Sequence, residues 1–219
     1  MHESVRTLVV MGGSFNPPTV AHSELLRAAM AAISADLGVW LPAAHAYVHG
    51  KLKAAGQERE LMGDDVRLAL VRAAAREGER QTVEDYELRG AGTGYTFETL
   101  EAMARSYPGA QIHFLIGSDK LANLPRWHRA DELLERFHVL VVHRGGKLPE
   151  DILRDDPYLA QRRDRFGVVT FPTGMEGVSS SAARRLLLEG DPRAGEMLTE
   201  GVLKTIRALF KDAGQMFEG

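Results

Sequence analysis

Cysteine is absent from the 219 residues, which excludes disulfides, thiolate metal sites and a cysteine nucleophile. Neither sign of charge is in large excess: 27 Lys+Arg stand against 30 Asp+Glu. No basic face announces nucleic acid or an anionic membrane, so an anionic ligand has to be held by a local cluster. Apolar runs are short. None approaches the roughly 20 residues that cross a bilayer, and the run after MHESVR is too brief for a signal-peptide core. The expectation is a cytoplasmic protein with neither membrane nor nucleic acid as partner. The GxGxxG of dinucleotide folds and the GxxxxGK[ST] of P-loop proteins are also missing, as are internal repeats. What is present is apolar material, 44% of residues, enough for a single globular domain over residues 1–219.

The order of apolar segments sets the fold class. Arg6–Met11 (RTLVVM), Gly38–Ala44 (GVWLPAA), IHFLIG ending at Gly117, FHVLVVH, and FGVVTF from Phe166 read as buried strands. QTVEDYEL over Gln81–Leu88 reads as a further extended segment. HSELLRAAMAAI, DVRLALVRAAAREG (capped by Asp64 or Asp65), TFETLEAMARSY and HRADELLERF carry helical spacing. HAYVHGKLKAAG reads as a loop and Gly145–Arg165 as a charged surface insertion, while SSAARRLLLEG and AGEMLTEGVLKTIRALF read as two closing helices. Strands alternating with helices predict an α/β fold, a Rossmann-like doubly wound parallel sheet with helices on both faces. A small C-terminal helical part, about 179–213, is expected to pack on it. Ligands of such sheets sit beyond the carboxyl ends of the strands.

At the first strand end stands GGSFNPPTVAH, Gly12–His22. Strand, glycine turn and helix start together offer unpaired N–H groups and the positive end of a helix dipole, a place for phosphate. Two glycines are equally what a tight turn needs. Pro17 and Pro18 restrict the approach, Thr19 reads as the N-cap, and His22 follows three residues later with a ring that needs a hydrogen-bond partner. VSSSAARRLL, Val178–Leu187, opens another helix after the last strand. Ser179 or Ser180 reads as its cap, and Ser181 and Arg184 share its first turn. Asp119 suits either ribose hydroxyls or a helix cap. Trp127, among Pro125, Arg126 and His128, has a poor core context and can stack on a ring. His45 and His49 are four apart but lack a third ligand, so no metal site of the protein's own is expected.

These segments carry a resemblance. GSFNPPTVAH resembles the [HT]xGH signature of the nucleotidyltransferase superfamily and, in its GSFNP form, is similar to the nicotinate or nicotinamide mononucleotide adenylyltransferases; Ala21 stands where many members have glycine. IGSDKLANLPRWHR is similar to that family's IGxDxLxxLxxW segment, GTGYTFETL to its SYTxxTL segment, and VVHRGG to its strand-end arginine. VSSSAARRLL is similar to ISSTxIR, with Ser181 for threonine and Ala183 for isoleucine. The matches run in order from roughly Leu8 to Leu209.

The resemblance implies an enzyme of NAD biosynthesis, transferring adenylate from ATP to nicotinate or nicotinamide mononucleotide and releasing pyrophosphate. It implies catalytic roles for His22, Thr19 and Arg184. At the first strand end it implies ATP contacts from Gly13, Ser14, Phe15 and His22. Further ATP contacts are implied for Lys51, Gly117, Asp119, Ser180, Ser181 and Arg184, although Lys53 qualifies as well as Lys51 for the basic residue that reaches the phosphates. Mononucleotide contacts are implied for Ser14, Thr96, Thr99, Trp127 and Arg144. Magnesium is implied as the companion of ATP, held mainly by substrate phosphates, and a homo-oligomer is left open. A phosphate nucleophile is already ionised near neutral pH, so the implied task is electrostatic: two anions meet in line at the α-phosphorus while charge grows on the departing pyrophosphate. The rival readings are an enzyme of the same fold with another acceptor, such as pantetheine phosphate, and a nucleotide-binding regulator without catalysis. A fragment of a class I aminoacyl-tRNA synthetase should carry a KMSKS-like loop, and none is present.

Overall fold

The computed structural model describes residues 5–90 and 94–210. Gly92 and Thr93 of the GTGYTFETL segment, and the expected helix end beyond residue 210, lie outside the described residues. Strand β1 (Thr7–Gly13) leads through the glycine turn into helix α1 (Val20–Ala32). Then come β2 (Leu37–Pro42), α2 (His45–Ala54), a 3₁₀ turn at Glu58–Glu60, α3 (Asp64–Glu77) and the short β3 (Gln81–Val83). The chain continues with α4 (Thr96–Ser106), β4 (Gln111–Gly117), α5 (Ser118–Leu121), α6 (Ala130–Arg136) and β5 (His138–Val142). Helices α7 (Pro149–Asp155) and α8 (Pro157–Ala160) precede β6 (Phe166–Val169), and α9 (Ser180–Leu188), α10 (Ala194–Met197) and α11 (Glu200–Leu209) follow.

The strands form a six-stranded sheet in the order β3-β2-β1-β4-β5-β6. β1 pairs with β4, β4 with β5 and β5 with β6, all in parallel, with Val9 opposite His113 and Leu115 opposite Leu140. This is the doubly wound order, whose winding reverses between β1 and β4. Leu8–Met11 and Val139–Val142 are buried in unbroken runs. Successive strand residues point to opposite faces, so unbroken burial means that both faces of these strands are covered.

By its contacts the chain divides into two compact units. The first holds residues 5–12, 26–39 and 94–171. Its core is built by Leu8–Val10, Phe97, Leu100, Leu133 and Val139–Val142. Gly38 leaves room for the Met30 side chain, whose sulfur would lie 2.5 Å from a Cβ placed there. The second holds residues 13–25, 40–90 and 172–210. Trp40 is fully buried there and its indole N–H donates to Gln81 at 2.8 Å. Val202 and Ile206, four apart on α11, are buried, and α11 packs along α3.

Four local expectations are corrected. HAYVHGKLKAAG is not a loop: it forms α2, because Val48 and Leu52 are four apart and bury against Ala43 and Leu61. Neither Asp64 nor Asp65 caps α3; Gly63 holds the cap position and Asp64 pairs with Arg67 at 2.7 Å. The extended segment Gln81–Leu88 is strand only as far as Val83. The last helix is two, because the Thr199 hydroxyl accepts from the Val202 amide and starts α11 afresh.

Candidate active site

In the second unit the turn after β1 is fixed from several sides. A Cβ on Gly13 would lie 2.9 Å from the Phe15 ring, so glycine is required there. Phe15, at a positive φ of 42°, is buried between Trp40 (ring centroids 5.1 Å) and the edge of His22 (5.2 Å). It therefore gives the site its backbone and a wall behind the imidazole. Arg67, fully buried on α3, donates to the carbonyls of Ser14 and Ala43 at 3.0 Å and to Asp64 at 2.7 Å. The Ser14 hydroxyl is buried and has no protein partner among the described residues.

Thr19 occupies the N-cap position of α1 and is fully buried. Its amide donates to His22 Nδ1 at 3.1 Å and its hydroxyl lies 2.7 Å from the same atom. The side chain at the third helical position thus reaches back to the cap amide, one half of a capping box, while the His22 amide donates to the Thr19 carbonyl at 3.0 Å. Because Nδ1 accepts the amide hydrogen, the neutral ring carries its own hydrogen on Nε2 and can donate from there.

The start of α9 is joined to the same turn. Ser179 is the cap, its hydroxyl accepting from the Ala182 amide at 3.1 Å. Ser180 donates to the carbonyl of Pro17 at 2.8 Å, and Arg184 Nη1 donates to the carbonyl of Asn16 at 2.9 Å. Residues more than 160 positions apart thus bring two helix N-termini together. Arg184 is 2% exposed; its Nε donates to Glu60 at 2.9 Å, while Nη2 makes long contacts among the described residues, 3.4 Å to Ser181 and 3.5 Å to Gln57. Asn16 donates to the Glu60 carbonyl and accepts from the Met62 amide, each at 2.9 Å. Beside this junction lies a recess of about 470 Å³ whose wall includes Gln57, Glu60, Ser181 and Arg185. Lys51 and Lys53 are both exposed on the last turn of α2.

In the first unit the β4 end carries the other candidates. A Cβ on Gly117 would strike the Asp119 carboxylate and the Arg144 stem, so both side chains close over that glycine. The Arg144 amide donates to Ser118 at 2.9 Å. Trp127 is half-buried, its ring roughly perpendicular to that of Phe114 with centroids 6.4 Å apart. The next residue, His128, stacks on Tyr95 (4.3 Å) and meets Glu98 at 2.9 Å, while Arg129 lies over the Phe97 ring. These contacts tie the Trp127 segment to the start of α4. Thr96 begins α4 but Tyr95 holds its cap position; Thr99 is buried, with its hydroxyl 3.3 Å from the Tyr95 carbonyl, and is neither cap nor surface residue.

Sequence reasoning did not single out Asn16, Glu60 or Arg67. Each works through partners 24 to 168 positions away. The one local sign was an asparagine followed by two prolines.

The fold and the two strand-end motifs define a nucleotidyltransferase: the sequence profile of the cytidylyltransferase-like family matches residues 10–186. A protein of Gloeobacter violaceus named as a probable nicotinate-nucleotide adenylyltransferase is 34% identical over 203 residues, covering 91% of this chain and 92% of its own. One of Aquifex aeolicus with the same name is 32% identical over 161 residues, 72% of this chain and 91% of its own. The nicotinic acid mononucleotide adenylyltransferase of Plasmodium falciparum, solved with APC and with NaAD, shares the fold with a TM-score of 0.69 at 17% identity, over 93% of this chain and 96% of that one. The chain belongs to the nicotinate-nucleotide adenylyltransferase family.

Proposed function

We propose that the chain transfers adenylate from ATP to nicotinate mononucleotide, forming the dinucleotide and pyrophosphate. The observation that carries this reading is the joining of the α1 and α9 starts through Ser180 to Pro17 and Arg184 to Asn16. Two helix N-termini held together are suited to a polyphosphate. The His22 Nε2–H donates to the α-phosphate, and the donation strengthens as negative charge gathers on the equatorial oxygens. Thr19 contributes by holding the ring in that tautomer. Ser14, whose hydroxyl lacks a protein partner among the described residues, donates to phosphate. Ser180, Ser181 and the loosely held Nη2 of Arg184 serve the β and γ phosphates together with Lys51 or Lys53. Asp119 accepts from ribose hydroxyls, Trp127 stacks on the pyridine ring, and Arg144, with the start of α4 at Thr96 and Thr99, borders the mononucleotide.

Magnesium enters with ATP as part of the substrate and neutralises phosphate charge there. Among the described residues no three histidines or carboxylates gather to hold a metal ion. Positioning and charge stabilisation suffice, with no covalent intermediate. The test is pyrophosphate release from ATP with nicotinate mononucleotide, nicotinamide mononucleotide or pantetheine phosphate as acceptor. Turnover fastest with the nicotinate compound supports the reading. Turnover only with pantetheine phosphate, or ATP binding without turnover, refutes it.

A further inference from the structure

Arg184 is a guanidinium almost wholly removed from water, and a buried charge without a partner is costly. In the free protein that partner is the Glu60 carboxylate, 2.9 Å from Nε and about a quarter exposed at the side chain. Glu60 stands on the wall of the recess that also carries Ser181 and Arg185. Its backbone is pinned, since its carbonyl accepts from Asn16 and the Met62 amide donates to Asn16. Its side chain stands on the 3₁₀ turn Glu58–Glu60, which buries none of its residues. The carboxylate can leave Arg184 while the backbone stays in place.

We propose that Glu60 is a built-in competitor for the triphosphate, filling the anion position on Arg184 when the site is empty and giving it up when ATP binds. The inference rests on the reading of this junction as the triphosphate site. A carboxylate and a phosphate side by side repel, so both cannot sit on one guanidinium without cost. Glu60 therefore keeps Arg184 solvated by protein in the free state and weakens ATP binding. When pyrophosphate is the occupant, the returning carboxylate favours its departure. Gln57, 3.5 Å from Nη2, is a neutral neighbour of the same guanidinium.

The test compares wild type with Glu60→Gln, which keeps an acceptor for Arg184 and removes the charge. Calorimetry with MgATP and no acceptor should show about tenfold tighter binding in the variant, the scale of one unit charge removed near a polyanion. Inorganic pyrophosphate should bind more tightly by a similar factor, and both gains should shrink at high salt. In steady state the variant should have a lower KM for ATP and a kcat no higher than wild type. If the glutamate merely braces Arg184, ATP binding weakens or is unchanged, and that result overturns the proposal. Should Glu60→Gln not fold, Glu60→Asn likewise removes the charge and carries the same expectation of tighter ATP binding, refuted by equal or weaker binding. No acceptor is in the cell, so the outcome is independent of which mononucleotide is used; failure to release pyrophosphate from ATP with nicotinate mononucleotide as acceptor counts against the proposed function alone.

Discussion

His22, the proposed phosphate donor, shows how much the surroundings decide what a side chain can do. The sequence placed an imidazole three residues after a cap; the structure adds that Thr19 takes up Nδ1 from two sides, leaving Nε2–H as the donor. His22→Ala should lower kcat about a hundredfold, the usual cost of one transition-state donor, with substrate KM values changed far less; unaltered turnover would refute the role. Trp127→Ala should raise KM for the mononucleotide and leave that for ATP in place, whereas a selective loss of ATP binding would refute the stacking role. These residues were legible because strand-end motifs are local in sequence. Arg67, Asn16 and Glu60 were not, because a buried arginine or asparagine is indistinguishable from a surface one until its partners, many tens of residues away, are folded against it.

At the scale of elements, long strands such as FHVLVVH were readable from unbroken apolar runs, whereas short features hung on one or two side chains. α2 rests on the pair Val48 and Leu52, with Gly50 and two lysines in the same turns obscuring the periodicity. The break before α11 rests on one hydroxyl, that of Thr199. Thr199→Ala should cost about 1 kcal/mol and lower the Tm by about 2–4 °C, measured by thermal unfolding, with kinetics unchanged. Ser179→Ala removes an equivalent cap from α9 and should lose similar stability, but under the proposed function, which puts phosphate at this helix start, it should also raise KM for ATP. Equal kinetics for Ser179→Ala and wild type would separate the α9 cap from substrate binding.

At the scale of the whole molecule, the sheet carries a pH dependence of its own. His113 and His138 are opposite one another on β4 and β5 with stacked rings 4.8 Å apart, and both Nδ1 atoms are buried without a hydrogen-bond partner among the described residues. Burial, then the neighbouring His138, pushes His113 down to about 4 from 6.5. Burial, then Arg165, lowers His138 against the opposing pull of Asp164; Gln111 faces the His113 Nε2 at 3.3 Å. The folded state thus binds fewer protons than the unfolded one between these values, so stability is full above about pH 6.5 and falls as pH drops toward 4. Urea midpoints at pH 7 and pH 5 should show the decline, and His113→Gln should flatten it; an unchanged slope in that variant would place the acid sensitivity elsewhere. The reaction account stands on the two helix starts meeting around one triphosphate. Its most direct test is a crystal structure with a non-hydrolysable ATP analogue. The account predicts phosphates between the Gly13–His22 turn and Ser180–Ser181, with His22 Nε2 on the α-phosphate and Glu60 withdrawn from Arg184. Phosphates touching only one of those two segments, or lying away from both, would contradict it.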